Sequence, residues 1–325
     1  MSENLTLVQA VRDGLRAEMA EDEDVLVLGE DVGKNGGVFR ATEGLYDEFG
    51  EERVIDTPLA ESGIIGSAVG MAAYGLKPVP EIQFSGFMYP GFDQIVSHMA
   101  RLRTRSRGRY TLPMVLRAPM GGGIRAPEHH SESKEAFYVH EAGLKVAMPS
   151  TPYDAKGMLI ASIRDPDPVI FLEPKKIYRA FREEVPDEPY EVPLGEASVR
   201  REGSDVSVFT WGAMTRPTLE AAENLEGEID VEVVDLRSLS PLDEDTVVES
   251  FEKTGRGAIV HEAPKTAGVG AEITATLQEE SLLYQEAPIK RITGFDVPFP
   301  LAALEDYYLP EPERIESGIR ETVEF

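Results

Sequence analysis

Apolar residues recur at Leu5, Val8, Val11, Leu15 and Met19, and an unbroken apolar run from Val25 to Leu28 then ends in Gly29. The first spacing predicts a helix and the second a buried strand. Further strands are expected at Arg53 to Asp56, Val79 to Phe84, Met114 to Ala118, Lys145 to Met148 and Val169 to Glu173, with helices at Ser62 to Tyr74, Gly91 to Arg105 and Pro152 to Arg164 between them. Strands without polar alternation, joined by helices, imply a parallel sheet covered on both faces. From about Glu183 to Asp205 the pattern lapses into Pro186, Pro189, Pro193, Gly195 and Gly203 among acids, the composition of a linker. A smaller alternation follows, with strands at Val206 to Thr210, Val231 to Leu236, Ala258 to His261 and Ile289 to Ile292, and helices at Thr215 to Leu225, Glu244 to Thr254 and Ala271 to Leu282. The expectation is an α/β protein of two domains, 1–185 and 205–325, joined by a linker at 186–204.

The length of 325 residues agrees with two domains, and 42% hydrophobic residues suffice for two cores. Charge narrows the partners. Asp plus Glu number 59 against 32 Lys plus Arg, a net charge of −27, which argues against nucleic acid and for a basic protein patch. Cysteine is absent, excluding disulfides, thiolate zinc and a cysteine nucleophile. The longest uncharged stretch, Ser62 to Leu76, is 15 residues with four glycines, short of the roughly 20 a membrane span requires. The start, Met1-Ser2-Glu3-Asn4, lacks the basic region of an export signal, so a cytoplasmic protein is expected. The acids gather in runs such as Glu21 to Asp24 and Asp243 to Asp245. Their repulsion is screened where the Debye length falls to roughly 3 Å in molar salt. The composition therefore suits a salt-rich cytoplasm, an acidic enzyme of an ordinary cell being the alternative.

Common signatures fail by single residues. Gly33-Lys34 is preceded by Leu28 where a P-loop needs glycine, and Leu144 stands where a zinc helix opened by His140-Glu141 needs histidine. No Gly-x-Ser-x-Gly elbow occurs. The alternating Arg101, Arg103, Arg105, Arg107 and Arg109 are expected to pair with carboxylates inside the fold or across a subunit contact.

Two clusters carry candidate chemistry. Glu61 follows a buried strand within Asp56-Thr57-Pro58-Leu59-Ala60-Glu61-Ser62-Gly63, with no Lys or Arg between Arg53 and Lys77 to pair it. A buried carboxylate there would be a strong base; a cap on the next helix is the equal alternative. Pro127-Glu128-His129-His130-Ser131 follows a glycine turn, and the chain has only five histidines. Adjacent histidines in a loop suggest proton transfer or substrate contact, although surface histidines in loops are also common. Phe84, Phe87 and Tyr89 around Gly86 form core or a platform for a flat ring.

These pieces, together with Pro80-Glu81-Ile82-Gln83-Phe84, Phe92-Asp93-Gln94-Ile95, Arg117-Ala118-Pro119 and Gly121-Gly122-Gly123, resemble the beta subunit of thiamine-diphosphate-dependent 2-oxo-acid dehydrogenases. In the second half Glu202-Gly203-Ser204-Asp205-Val206, Val234-Asp235-Leu236-Arg237, His261-Glu262-Ala263 and Glu286-Ala287-Pro288-Ile289 follow the family's order, so the resemblance spans nearly the whole chain. It implies a pyrimidine-binding domain followed by a transketolase C-terminal-like domain. Glu61 becomes the glutamate that bonds the cofactor's aminopyrimidine and favours its imino tautomer, which activates the thiazolium carbon. Phe87 packs on that ring, with Gln83 and Leu59 nearby. His130 handles a proton as the acyl group passes to a lipoyl arm, and His140 occupies a position that is histidine in some members only.

The Gly-Asp-Gly segment that holds the diphosphate through a divalent ion, magnesium, has no counterpart, since no Gly-Asp pair occurs in the chain. The resemblance assigns that half to an alpha subunit, in a heterotetramer of two alpha and two beta chains. It also implies potassium on backbone oxygens around Leu112, Met114, Val115, Ser162, Asp165 and Asp167. The second domain would dock a lipoylated acyltransferase core, for which the acidic end from Glu311 to Phe325 is suited; a solvated tail is the alternative. A pyruvate, branched-chain or acetoin-type substrate stays open. The competing readings are half of a split transketolase or synthase, and a non-catalytic scaffold.

Overall fold

In the computed structural model, which describes residues 2–325, the first half runs β1 (Ser2–Leu5), α1 (Leu7–Glu21), β2 (Val25–Gly29), α2 (Leu45–Phe49), β3 (Val54–Asp56), α3 (Glu61–Tyr74), β4 (Lys77–Glu81), α4 (Leu102–Arg105), β5 (Val115–Met120), α5 (Glu135–Val139), β6 (Lys145–Ala147), α6 (Pro152–Arg164), β7 (Val169–Pro174) and β8 (Glu183–Pro186). Helix starts follow local chemistry. The Thr6 amide ahead of α1 donates to Gln9 Oε1 at 3.0 Å, and Thr151 ahead of α6 accepts from the Asp154 amide, with Pro152 in the first turn where a missing N–H costs nothing. The apolar stripe of α1 is buried against α6 and one face of the sheet, and α3 covers the other face.

The second half runs β9 (Ser198–Arg201), β10 (Val206–Thr210), α7 (Thr215–Asn224), β11 (Val231–Asp235), β12 (Ser238–Ser240), α8 (Glu244–Thr254), β13 (Gly257–Pro264), α9 (Val269–Glu280), β14 (Lys290–Gly294), α10 (Glu305–Tyr308) and α11 (Pro312–Val323). Along β10, Val206 and Val208 join the core beneath α7 and α11, whereas Phe209 joins that beneath α8 and α9. Both faces of the strand are thus dry, and the buried Ser207 hydroxyl between the two valines donates to Ser250 O at 2.8 Å.

The sheets have the orders β12-β6-β7-β5-β4-β2-β3 and β14-β13-β10-β11-β9. Within these two sheets all pairs are parallel except β12 on β6 and β9 on β11, and β1 and β8 form a separate antiparallel pair. The two-domain α/β architecture is the expected one, with four departures. The helix expected over 91–105 follows a 3-10 segment at Ser85–Gly91 and is itself interrupted, by a π turn at Gln94–Met99 ahead of the short α4. The span read as a linker, 186–204, contributes β9 to the second sheet. β12, from the second half, completes the edge of the first sheet. The acidic end is no tail: it forms α11, whose Ile315, Gly318, Ile319 and Thr322 are buried. Among the described residues no helix is long and apolar enough to cross a membrane.

Two buried polar groups report on this packing. Arg117 on β5 is fully enclosed and donates to Glu81 Oε2 at 3.0 Å on β4 and to Glu173 Oε1 and Oε2 at 2.7 and 3.1 Å on β7, while Tyr178 donates to Glu173 at 2.6 Å. His261 on β13 is 1% exposed, stacks on Trp211 at 5.1 Å and 21°, and lies beneath the glycines that start α9. Burial pushes its pKa down to about 4.

Arg117→Met should destabilise the protein by about 3 to 5 kcal/mol, because removing one partner strands two buried carboxylates; the shift of the urea midpoint measures it. For His261 the folded chain refuses a proton that the unfolded chain accepts near 6.5. Its contribution is therefore complete above pH 6.5 and lost as pH falls through about 4, by up to about 3 kcal/mol. His261→Phe, which retains the stacking, should lose less stability between pH 7 and pH 4.5 than the parent in paired urea titrations. Parallel losses would contradict this.

Candidate active site

The carboxyl ends of β2, β3, β4 and β5 open at one edge of the first sheet, where ligands of parallel sheets are bound. After β2 come Glu30 and Asp31. The Asp56 carboxylate at the end of β3 accepts the Gly33 amide at 2.6 Å and the Lys34 amide at 3.3 Å, holding the β2 loop beside the β3 loop. The Thr57 amide donates to Gly29 O at 2.9 Å, and α3 begins four residues later with Glu61 in its first turn. A carboxylate at this end of a 14-residue helix is favoured by the helix dipole.

Glu61 is only half-buried, which corrects the expectation of a buried carboxylate. Leu59, Ala60, Ser62 and Gly63 around it are exposed, Leu59 by 78%, so this chain supplies one wall only. Glu30 faces it: partial burial, then the charges of Glu61 and Asp31, raise the pKa of Glu30. Glu30 and Asp31 were missed in the sequence because acids are so abundant. Gln83 Nε2 reaches Asp31 Oδ2 at 3.4 Å.

After β4 the chain turns through Phe84, Phe87 and Tyr89. Ser62 Oγ donates to Pro90 O, tying α3 to this turn. Phe87 and Phe84 present edge contacts to the His130 ring at 5.0 and 4.5 Å. His130 Nδ1 is buried with no hydrogen-bond partner among the described residues. The neighbouring His129 is more exposed and lies 3.9 Å from Glu132, whose carboxylate accepts Tyr89 OH at 2.7 Å. Glu61, Leu59, Gln83, Phe87 and His130 thus belong to loops of one sheet edge.

His140 does not join that ring cluster. It is exposed at the end of α5 and lines a groove with Val139, Gly268, Val269 and Glu272. The residues implied for potassium meet elsewhere: the Leu112 amide donates to Pro166 O at 2.9 Å, bringing the entry to β5 against the end of α6. There Asp165 pairs with Lys145 and Asp167 with Arg103, leaving backbone oxygens as the donors on offer. No cluster of three or more metal-ligating side chains exists among the described residues. Of the arginine series, Arg101 pairs with Glu141 at 3.0 Å and Arg103 with Asp167, as expected for structural pairs.

Residues 3–180 match the transketolase pyrimidine binding domain and residues 195–315 the transketolase C-terminal domain, which defines a two-domain protein of the transketolase class. A solved split-gene transketolase, an inactive beta4 tetramer, aligns with a TM-score of 0.81 over 99% of both chains at 23% identity, a likeness of fold. The chain belongs to the family of pyruvate dehydrogenase E1 component beta subunits, being 53% identical over 317 residues to that of Acholeplasma laidlawii, with 97% of each chain covered. Identity to the beta subunits of Bacillus subtilis (strain 168) and Staphylococcus aureus is 52% over 322 residues, covering 99% of each chain. The family is one of thiamine-diphosphate-dependent enzymes.

Gly86 is the closest approach between the aromatic turn and the histidine loop, since a Cβ there would sit 2.0 Å from His129 O. Gly86→Ala should force the two segments apart and lower stability by about 2 kcal/mol. A thermal melt together with faster proteolysis within residues 121–134 checks the result.

Proposed function

We propose that this chain supplies the aminopyrimidine-binding half of a pyruvate dehydrogenase active site, and that an alpha subunit supplies the half that binds diphosphate and magnesium. The observation that carries the reading is Glu61 at the start of α3, half-open beside exposed Leu59, with Gln83 and Phe87 on neighbouring loops of the same edge. A carboxylate, an aromatic face and an amide are the groups a flat, hydrogen-bonding ring requires. The absence of any Gly-Asp pair supports the division of labour.

Thiamine diphosphate, when bound, supplies the electron sink for decarboxylating a 2-oxo acid. Glu61 accepts a hydrogen bond from the ring, beside Glu30, whose own pKa is raised by partial burial and by the charges of Glu61 and Asp31. Phe87, Leu59 and Gln83 hold and orient the ring. His130, packed by Phe84 and Phe87 and free at Nδ1, moves a proton as the acyl group leaves for a lipoyl arm. His140, on the neighbouring groove, has a secondary part in the same transfer. Leu112, Met114, Val115, Ser162, Asp165 and Asp167 offer backbone oxygens to a potassium ion that braces β5 and α6.

The assembly is a heterotetramer of two alpha and two beta chains serving a lipoylated acyltransferase core, with α11 and its acids facing the core's basic binding domain. The pyrimidine-binding domain is residues 1–185, and the C-terminal domain takes in β9 and so begins ahead of residue 205. The working compartment is a salt-rich cytoplasm, in accord with the net charge of −27.

The test is native co-purification at high salt followed by assay with pyruvate and a lipoylated domain. Glu61→Gln should lower kcat at least about 100-fold in the reconstituted complex while leaving assembly intact. Undiminished activity would sink the assignment of Glu61, and cofactor binding by the isolated chain would sink the half-site.

A further inference from the structure

The loop from Gly121 to Lys134, which carries His129 and His130, is held from the other domain. The Gly122 amide donates to Glu262 Oε2 at 2.9 Å, the Gly123 amide to Glu305 Oε1 at 2.9 Å, and the Arg125 amide to both Glu305 oxygens at 3.2 and 3.1 Å. Glu262 is 4% exposed on β13 and Glu305 is 1% exposed at the start of α10, so neither charge is dissipated in solvent. Successive backbone amides in such a turn form an anion-binding concavity, here filled by side chains of the same chain.

Glycine is required for this approach. Gly121 and Gly123 have φ of +84° and +97°, and a Cβ on Gly121 would lie 2.3 Å from Glu262 Oε1. Lys175 completes the clasp, donating to Gly121 O while its ammonium lies 5.7 Å from the centre of the Phe84 ring. Burial lowers the Lys175 pKa to about 8, opposed by the charges of Glu262 and Glu305. Phe84 in turn contacts His130 at 4.5 Å. The returning leg is held within the first domain, where Ser85 Oγ donates to Glu132 O at 3.0 Å.

We infer that Glu262 and Glu305 are positioning residues for His130: the second domain sets the location of the histidine loop by accepting its backbone amides. The inference rests on the reading that His130 moves a proton during acyl transfer. Holding the loop matters for that step and not for decarboxylation, so the two half-reactions separate a positioning role from a merely structural one.

The experiment uses the alpha–beta complex loaded with thiamine diphosphate. Decarboxylation of pyruvate is read with ferricyanide as electron acceptor, and acyl transfer with a lipoylated domain. Glu305→Ala should lower kcat for acyl transfer about tenfold or more while the ferricyanide rate stays within about twofold, and Glu305→Gln, which retains a carbonyl acceptor, should recover most of the loss. Glu262→Gln should follow the same split more weakly. Equal losses in both assays, or none in either, would overturn the inference. If Glu305→Ala fails to assemble, Glu305→Asp is read instead, since it retains charge but falls short of the amides. His130→Gln is the control. If it spares acyl transfer, the role of His130 fails; if it abolishes acyl transfer while the Glu305 variants spare it, the inference fails alone.

Discussion

One guanidinium, buried between two carboxylates, organises the first domain. Arg117 binds Glu81 and Glu173 across three adjacent strands, β4, β5 and β7, and each of the three residues lies just ahead of a segment on which the site depends. Gln83 to Tyr89 follow Glu81, the glycine turn and histidine loop follow Arg117, and Lys175 follows Glu173. A displaced strand would leave a charge unsolvated, so the network penalises any register that would misplace these loops. Burial raises the pKa of Glu81 despite the guanidinium beside it, and the Tyr178 hydroxyl shares Glu173. The arrangement has more negative than positive charge, which is tolerable only while every oxygen keeps a donor.

The same economy of cations recurs at the surface and at the site. With 59 acids and 32 basic residues, most carboxylates must face solvent, and several of the buried ones, Glu81 and Glu173 among them, are paired with donors. Glu305 and one oxygen of Glu262 accept backbone amides, which need no cation. Glu30 and Glu61 face one another at an edge this chain leaves open, where partial burial and the charges of Glu61 and Asp31 raise the pKa of Glu30. Acidic composition and acid-dependent site geometry are thus two uses of one residue type, distinguished by which donors the fold delivers.

Much of this was legible in the sequence. The parallel strands announce themselves as short apolar runs, and α6 and α8 begin and end at the residues expected, where the structure shows Thr151 and Asp243 accepting first-turn amides. Glu61, Phe87 and His130 were legible through the order of their motifs. The break within 91–105 is a π turn at Gln94–Met99, which the spacing of apolar residues does not register. β12 carries only Ser-Leu-Ser, too short for any periodicity to reveal. Glu262 stood within the His261-Glu262-Ala263 motif without a role, and Glu305 in none, since nothing in the local sequence tells which glutamates reach partners more than 130 residues away.

β12 has a consequence for how this architecture can be divided. A chain cut within 186–204 would seem to yield two independent modules, but the first would carry β6 as a bare strand edge with its hydrogen-bonding groups unpaired. Such an edge recruits whatever strand is at hand, including another copy of itself. Shuffling this pyrimidine-binding module into a new protein would therefore require the borrowed three-residue strand to travel with it, or a substitute cover for β6, and gene fusions that respect only the apparent linker would tend to aggregate rather than to function.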